Sequence, residues 1–288
     1  METTTAPTVG AVRGPTLLER FRRLYRRRET VRFLAAANLK SGHRDKVLGH
    51  LWNLLDPLLF MLVYFFVFGV LFGVMAGKTG RSFEFMLYIL SGLITFRFVS
   101  GTVNEAANCV RSNRGLIHEI NFPKAVFPTA VVFSRLYDFL WGLLVLVVFL
   151  LIAGHWPSLH YVWLPVLIGV MVVFTAGAAY VVAYLGALYA DTHNVVQVGM
   201  RLLFYVSPVF YFVRDHAPYK AMIHNPHILF VYMLNPLACL FECSRDVLLW
   251  GQSPDKGMLL YSAGVAVVVY IVGFAIFTRG EGKFAKYI

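Results

Sequence analysis

The chain has 288 residues, of which 58% are hydrophobic and only 14% charged, with a net charge of +11. Mean hydropathy is +0.65, and the apolar residues come in long blocks, which excludes an ordinary soluble domain with its charged, hydrated surface and points to several membrane spans. The positive excess does not make a nucleic-acid surface: eleven Lys/Arg against four acids precede Trp52, no basic face forms elsewhere, and no nucleic-acid partner is expected.

Residues 1–16 are rich in Thr, Pro and Gly and read as a disordered tail without the apolar core of a signal peptide. Residues 17–51 read as cytoplasmic amphipathic or interface helices: Leu17, Leu18, Phe21, Leu24 and Tyr25 share one helical face, and Arg20, Arg22, Arg23, Arg26 and Arg27 the other. Such a helix lies in the headgroup plane or packs on a partner protein. Residues 52–288 read as an all-α membrane domain of six transmembrane helices. The first span is predicted over Trp52–Ala76, with Gly69, Gly73 and Gly77 at a four-residue spacing that lets a neighbouring helix approach. The second covers Phe85–Cys109, followed by a polar loop with Arg111, Asn113, Arg114, His118, Glu119 and Lys124. The third runs over Val126–Ala153 and the fourth over Tyr161–Ala190. The fifth, Val195–Val213, contains Ser207-Pro208, a predicted kink. Between it and the sixth span, Met258–Phe277, Asn225-Pro226 and Asn235-Pro236 start two helices too short to cross about 30 Å of hydrocarbon. They read as re-entrant or interfacial half-helices.

Seventeen Lys/Arg fall on the side of the termini and six on the other, leaving Arg97, Arg135 and Arg201 within or beside spans. The asymmetry predicts a multi-pass protein of the cytoplasmic (inner) membrane with both termini in the cytoplasm, and therefore extracytoplasmic half-helices.

Gly77-Lys78-Thr79 mimics the end of a phosphate-binding loop, but the position that needs the first glycine is Phe72, and the segment leaves a membrane span rather than joining a strand to a helix. Any ATP-driven work must use an ATPase on another chain. His224 and His227 lack a third ligand at a metal-binding spacing, the three cysteines read as small apolar residues, and no paired carboxylates suggest catalysis. The expectation is a non-enzyme with no cofactor or metal of its own. Arg97, Glu105, Arg135 and Asp138 are intramembrane charges, readable as structural pairs, as a polar lining facing a substrate, or as a proton relay. Phe65, Phe68 and Phe72 share a face of the first span, and Phe204 and Tyr211 a face of the fifth. These aromatics either pack against helices and lipid or offer stacking surfaces to a sliding sugar chain.

The segment Lys46-Val47-Leu48-Gly49-His50-Leu51-Trp52-Asn53-Leu54-Leu55-Asp56-Pro57-Leu58 resembles the opening motif of type-2 ABC export permeases, in the branch that moves O-antigen, teichoic acid, capsule and related envelope glycans. Gly115-Leu116-Ile117 through Phe122-Pro123, Ser207-Pro208-Val209, and Asn235-Pro236-Leu237-Ala238 leading to Arg245 extend the resemblance over everything after residue 30. Two positions depart from it: Gly42-His43 stands where the family carries a basic-aromatic pair, and Ala190 where it often carries Arg. The resemblance implies two permease copies, two ATP-binding cassette ATPase subunits that bind the ATP and Mg, surrounding membrane lipid, and a lipid-linked glycan as substrate. It places Arg44, Lys46, Arg111, Asn113, Arg114 and His118 at the ATPase contact, and Asn235, Pro236, Phe241 and Arg245 in an extracytoplasmic gate. Phe65, Phe68, Phe72, Phe204 and Tyr211 would line the channel. Efflux of a drug or small lipid by the same architecture is the alternative, and a membrane-embedded transferase a further one.

Overall fold

The computed structural model describes residues 16–43, 79–119, 123–213 and 226–284, with isolated positions between 55 and 67. All regular structure among them is helical. In chain order these are α1 (Leu17–Arg26), α2 (Arg28–His43), α3 (Thr79–Ser112), α4 (Arg114–Glu119), α5 (Val126–Ile152), α6 (Leu164–Leu188), α7 (Thr192–Val206), α8 (Pro226–Met233), α9 (Pro236–Leu248) and α10 (Lys256–Gly280), with short 3-10 turns before α6 and after α10. Most of the first expected span, including Phe65, Phe68, Phe72 and Gly73, lies outside the described residues, as do Arg44 and Lys46 and the side chain of His118.

Among the described residues, four segments are long and apolar enough to cross a membrane: Phe83–Ser112, Val126–Ile152, Leu159–Leu188 and Lys256–Gly280. Val126–Ile152 and Lys256–Gly280 leave hydrophobic rows exposed, whereas Phe83–Ser112 is largely enclosed. On α5, Phe133, Tyr137, Leu140, Trp141, Leu144 and Val148 are each at least 40% accessible, a contiguous apolar face that water would penalise and lipid or another chain would cover. α10 lies along α6 at backbone contact: a β-carbon on Gly177 would meet the Tyr270 backbone, and one on Gly273 the Gly177 backbone. Small residues permit that approach where no hydrophobic effect drives helices together.

The fifth segment differs from expectation. α7 spans fifteen residues and stops at Ser207, about 22 Å of helix at 1.5 Å per residue. Ser207 is extended, with φ −86° and ψ 147°, the conformation that the following Pro208 ring imposes on its neighbour. The expected kink is therefore a helix end, and residues 207–213 turn inward, with Val209 and Val213 buried.

α9 starts as its sequence dictates. The Asn235 side chain accepts the Leu237 N–H at 3.0 Å, and Pro236 occupies the first turn, where its missing N–H costs nothing. The described core falls into two clusters. One surrounds the first half of α3, α9 and the 207–213 turn. The other joins α1 and α2 to the ends of α3, α6 and α10 and the start of α5.

Candidate functional site

Along α3 a polar row interrupts the apolar surface. Arg97, Ser100, Asn104, Asn108 and Ser112 recur every three or four residues and so share a face. Two clefts open on it. One, of about 570 Å³, lies between α3 and α7 and is lined by Arg97, Ser100, Asn104, Gln197 and Arg201 beside Phe96, Phe204 and Tyr205. The other, of about 400 Å³, lies between α3 and α5 and includes Asn104, Glu105, Asn108, Arg135 and His193. Asn104 borders both, and its amide donates to the Ser100 carbonyl at 2.8 Å.

Arg135 of α5 reaches Glu105 of α3 at 2.5 Å and Asp138, one turn along its own helix, at 3.5 Å. The i, i+3 spacing of Arg135 and Asp138 was readable in the sequence, whereas the cross-helix pair with Glu105 was not. Arg97 stands two turns from Glu105 and opens on the α7 side, with Arg201. Arg97 thus lines one cleft and Glu105 and Arg135 the other, with Asp138 joined to the second through Arg135.

Phe204 and Tyr211 do not share a helix face, because α7 ends between them. They are linked instead through Phe210, whose ring centroid lies 6.0 Å from Phe204 and 5.3 Å from Tyr211. The row continues from Phe204 to Phe96 at 5.1 Å and from Tyr211 to Tyr232 of α8 at 6.0 Å. It runs from the α3–α7 cleft to the short helices before α10.

Arg245, expected in an extracytoplasmic gate, is 1% accessible. All five of its N–H groups have acceptors. Nε donates to Ser91 Oγ at 3.4 Å. One terminal nitrogen donates to the Tyr88 hydroxyl at 2.7 Å and to Glu242 Oε1 at 3.0 Å. The other donates to the carbonyl oxygens of Tyr88 at 3.4 Å and Val209 at 3.1 Å. The guanidinium carbon stands 3.5 Å from the Tyr88 ring centroid, within cation–π range. The Tyr88 hydroxyl also lies 2.8 Å from the Tyr211 carbonyl oxygen, to which it donates. Gly92 leaves room for the guanidinium, since a β-carbon there would lie 2.6 Å from its nitrogen. Arg245 therefore ties α9 to α3 and to the 207–213 turn. Of the other residues assigned to that region, Phe241 is buried, and Asn235 and Pro236 cap the helix. Tyr88, Ser91 and Glu242 escaped sequence reasoning. Glu242 and Arg245 carried an i, i+3 signal, while nothing local marks Tyr88 or Ser91.

At the opposite end, Arg111 donates from Nε to the Gly186 carbonyl at 2.6 Å, holding the last turn of α6. The Asn113 amide donates to the Cys109 carbonyl at 2.7 Å, and Arg114 is exposed.

The chain is similar in sequence to relatives over nearly its full length. The chain is 28% identical over 270 residues to the O-antigen export system permease protein RfbA of Myxococcus xanthus, covering 93% of this chain and 98% of that one. It is 27% identical over 251 residues to the protein of the same name from Klebsiella pneumoniae, covering 86% and 91%. It is 22% identical over 257 residues to the polysialic acid transport protein KpsM of Escherichia coli, covering 88% and 93%. Residues 29–249, from the start of α2 to just beyond α9, match the family described as ABC-2 type transporter, and the chain belongs to that family of membrane-spanning transporter proteins.

Proposed function

We propose that this chain is the permease subunit of an ABC exporter that moves a lipid-linked polysaccharide across the cytoplasmic membrane, driven by a separate ATPase that binds the ATP and Mg. The observation that carries this reading is the α3 face, where amides, hydroxyls and arginines lie beside the Phe96–Phe204–Phe210–Tyr211 row. Sugars offer hydroxyls to such donors and apolar C–H faces to such rings. Arg97 and Arg201 suit an anionic sugar or a phosphate linker. The relatives named for O-antigen export and polysialic acid transport supply the substrate class.

Within this reading two copies pair around the path and two ATPase subunits dock beneath them. Each copy has six spans, the undescribed 52–76 segment being the first and α7 with its following turn the fifth. α1 is the interfacial helix, and both termini are cytoplasmic. α8 and α9 are extracytoplasmic re-entrant helices, with Arg245 fixing the second of them. The test is affinity purification of the full chain from membranes of its own host, paired with deletion of its gene. Recovery of an ABC ATPase in equal amount, with lipid-linked glycan accumulating inside the deleted cell, is the expected outcome. Normal surface glycan in the deletion strain sinks the polysaccharide assignment, and absence of any ATPase under mild detergent sinks the transporter assembly.

A further inference from the structure

A second feature lies away from the α3 face. Where α1 meets the end of α10 and the start of α5, a cavity of about 560 Å³ is lined by Arg20, Arg23, Arg26, Arg27 and Lys124 against one described carboxylate, Glu281. Arg20 and Arg23 stand one turn apart on α1 and Arg27 caps its C-terminus, so one side of this helix supplies the guanidinium groups. Clustered like charges repel, and an anion placed among them relieves that repulsion and gains charge-assisted hydrogen bonds. The walls are fixed: Arg20 donates to the Thr278 carbonyl at the end of α10, and Glu281 Oε2 accepts the Lys124 N–H at 3.1 Å. Burial raises the proton affinity of Glu281, while Lys124, Arg20 and Arg23 pull it back down, so the basic cluster itself favours negative charge here.

The adjoining face of the same helix borders an apolar cavity of about 680 Å³, walled by Phe21, Leu24, Phe133, Tyr180 and Tyr270. Leu18 and Tyr25 of α1, 62% and 63% exposed, and Phe33 of α2, 73% exposed, are apolar positions that belong in the headgroup region when carried by basic helices. An acidic protein surface would satisfy the arginines but leave the apolar cavity unused. An anionic lipid matches both, with its phosphodiester among the arginines and a hydrocarbon chain beside Phe21.

We propose that the arginine cavity beneath α1 binds the phosphodiester headgroup of an anionic membrane lipid, with one acyl chain in the adjoining apolar cavity, so that the lipid pins α1 against α5 and α10. This goes beyond the export reading and does not depend on it. The test uses the full-length chain in detergent, supplemented with phosphatidylglycerol, with phosphatidylcholine, or with inorganic phosphate alone. Retained lipid is counted by native mass spectrometry, and the thermal midpoint is followed. Phosphatidylglycerol is expected to be retained and to raise the midpoint, phosphatidylcholine to do neither. Arg23→Gln with Arg27→Gln removes two charge-assisted contacts and is expected to weaken retention about tenfold or more. Glu281→Gln, which removes the opposing charge, is expected to strengthen it, and this gain of binding separates the proposal from simple misfolding of the arginine variant. Equal effects of the two lipids overturn the proposal, as does stabilisation by inorganic phosphate without retained phosphatidylglycerol. It is also overturned if the arginine variant loses a co-purifying ATPase while retaining phosphatidylglycerol normally.

Discussion

Arg245 shows how much one side chain can organise when every donor it carries is used. A buried guanidinium forfeits its hydration, and the pair it makes with Glu242, itself 1% accessible, holds only because Tyr88, Ser91 and Val209 accept the remaining N–H groups. Arg245→Met therefore strands the Glu242 carboxylate and is expected to destabilise the fold by about 3–5 kcal/mol. Adding Glu242→Leu removes the stranded charge and is expected to recover most of that loss. Thermal unfolding in detergent checks both, and a double variant no better than the single one refutes the pairing argument. Glu281 makes a pH-dependent prediction. Burial lifts its carboxyl above the ordinary value of 4.5, so the folded chain holds this proton more tightly than the unfolded one. Its contribution is full below the unfolded value and is lost as pH rises through the folded one. Glu281→Gln, which cannot ionise, is expected to flatten the thermal midpoint across that window; a midpoint that falls as steeply in the variant rules this source out.

Helix packing depends on a different economy. α6 and α10 touch through Gly177 and Gly273, where the partner's backbone occupies the space of a side chain. Gly273→Leu forces these helices apart and is expected to lower the monodisperse fraction on gel filtration severely. Gly199→Leu on α7, where nothing lies within 4 Å, is expected to leave it unchanged, and equal losses in the two variants remove the packing explanation. At this level much was readable in the sequence. The last span was expected over Met258–Phe277, and α10 occupies Lys256–Gly280, because a long apolar block admits few alternatives to a helix in lipid. The start of α9 was equally readable, since Asn235-Pro236 carries its own cap. The end of α7 was not. Ser207-Pro208 reads as either a kink or a stop, and the inward turn after it offers the Val209 carbonyl to Arg245 and the Tyr211 carbonyl to Tyr88. Those partners are distant in the chain, so no local pattern announces them. The same holds for Arg135 and Glu105, whose pairing depends on how α3 and α5 cross.

On the scale of the whole molecule, α3 is set apart by its surroundings. Its span is the most enclosed of the four, with 78% of its most apolar window buried, whereas the corresponding window of α5 or α10 is only 22% buried. The outer helices therefore present apolar rows to lipid or another chain, and α3 is screened except where the two polar clefts open. Family membership was legible in motifs, but the clearest of these, Lys46 to Leu58, lies mostly outside the described residues and contributed nothing to locating the clefts. They emerge only when α5 and α7 are set on either side of the polar row. Asn104 is the residue common to both clefts, and its amide nitrogen donates to Ser100 of its own helix. Asn104→Leu changes little volume, so it should preserve assembly while replacing a donor and an acceptor on the proposed path with hydrocarbon. A glycan moving along the row would lose hydrogen bonds midway, and surface polysaccharide in a complemented deletion strain is expected to fall several-fold with normal amounts of protein in the membrane. Asn104→Asp keeps an acceptor but adds a charge beside Glu105. It is expected to impair an anionic glycan more than a neutral one, whereas normal export by both variants would place the path elsewhere in the molecule.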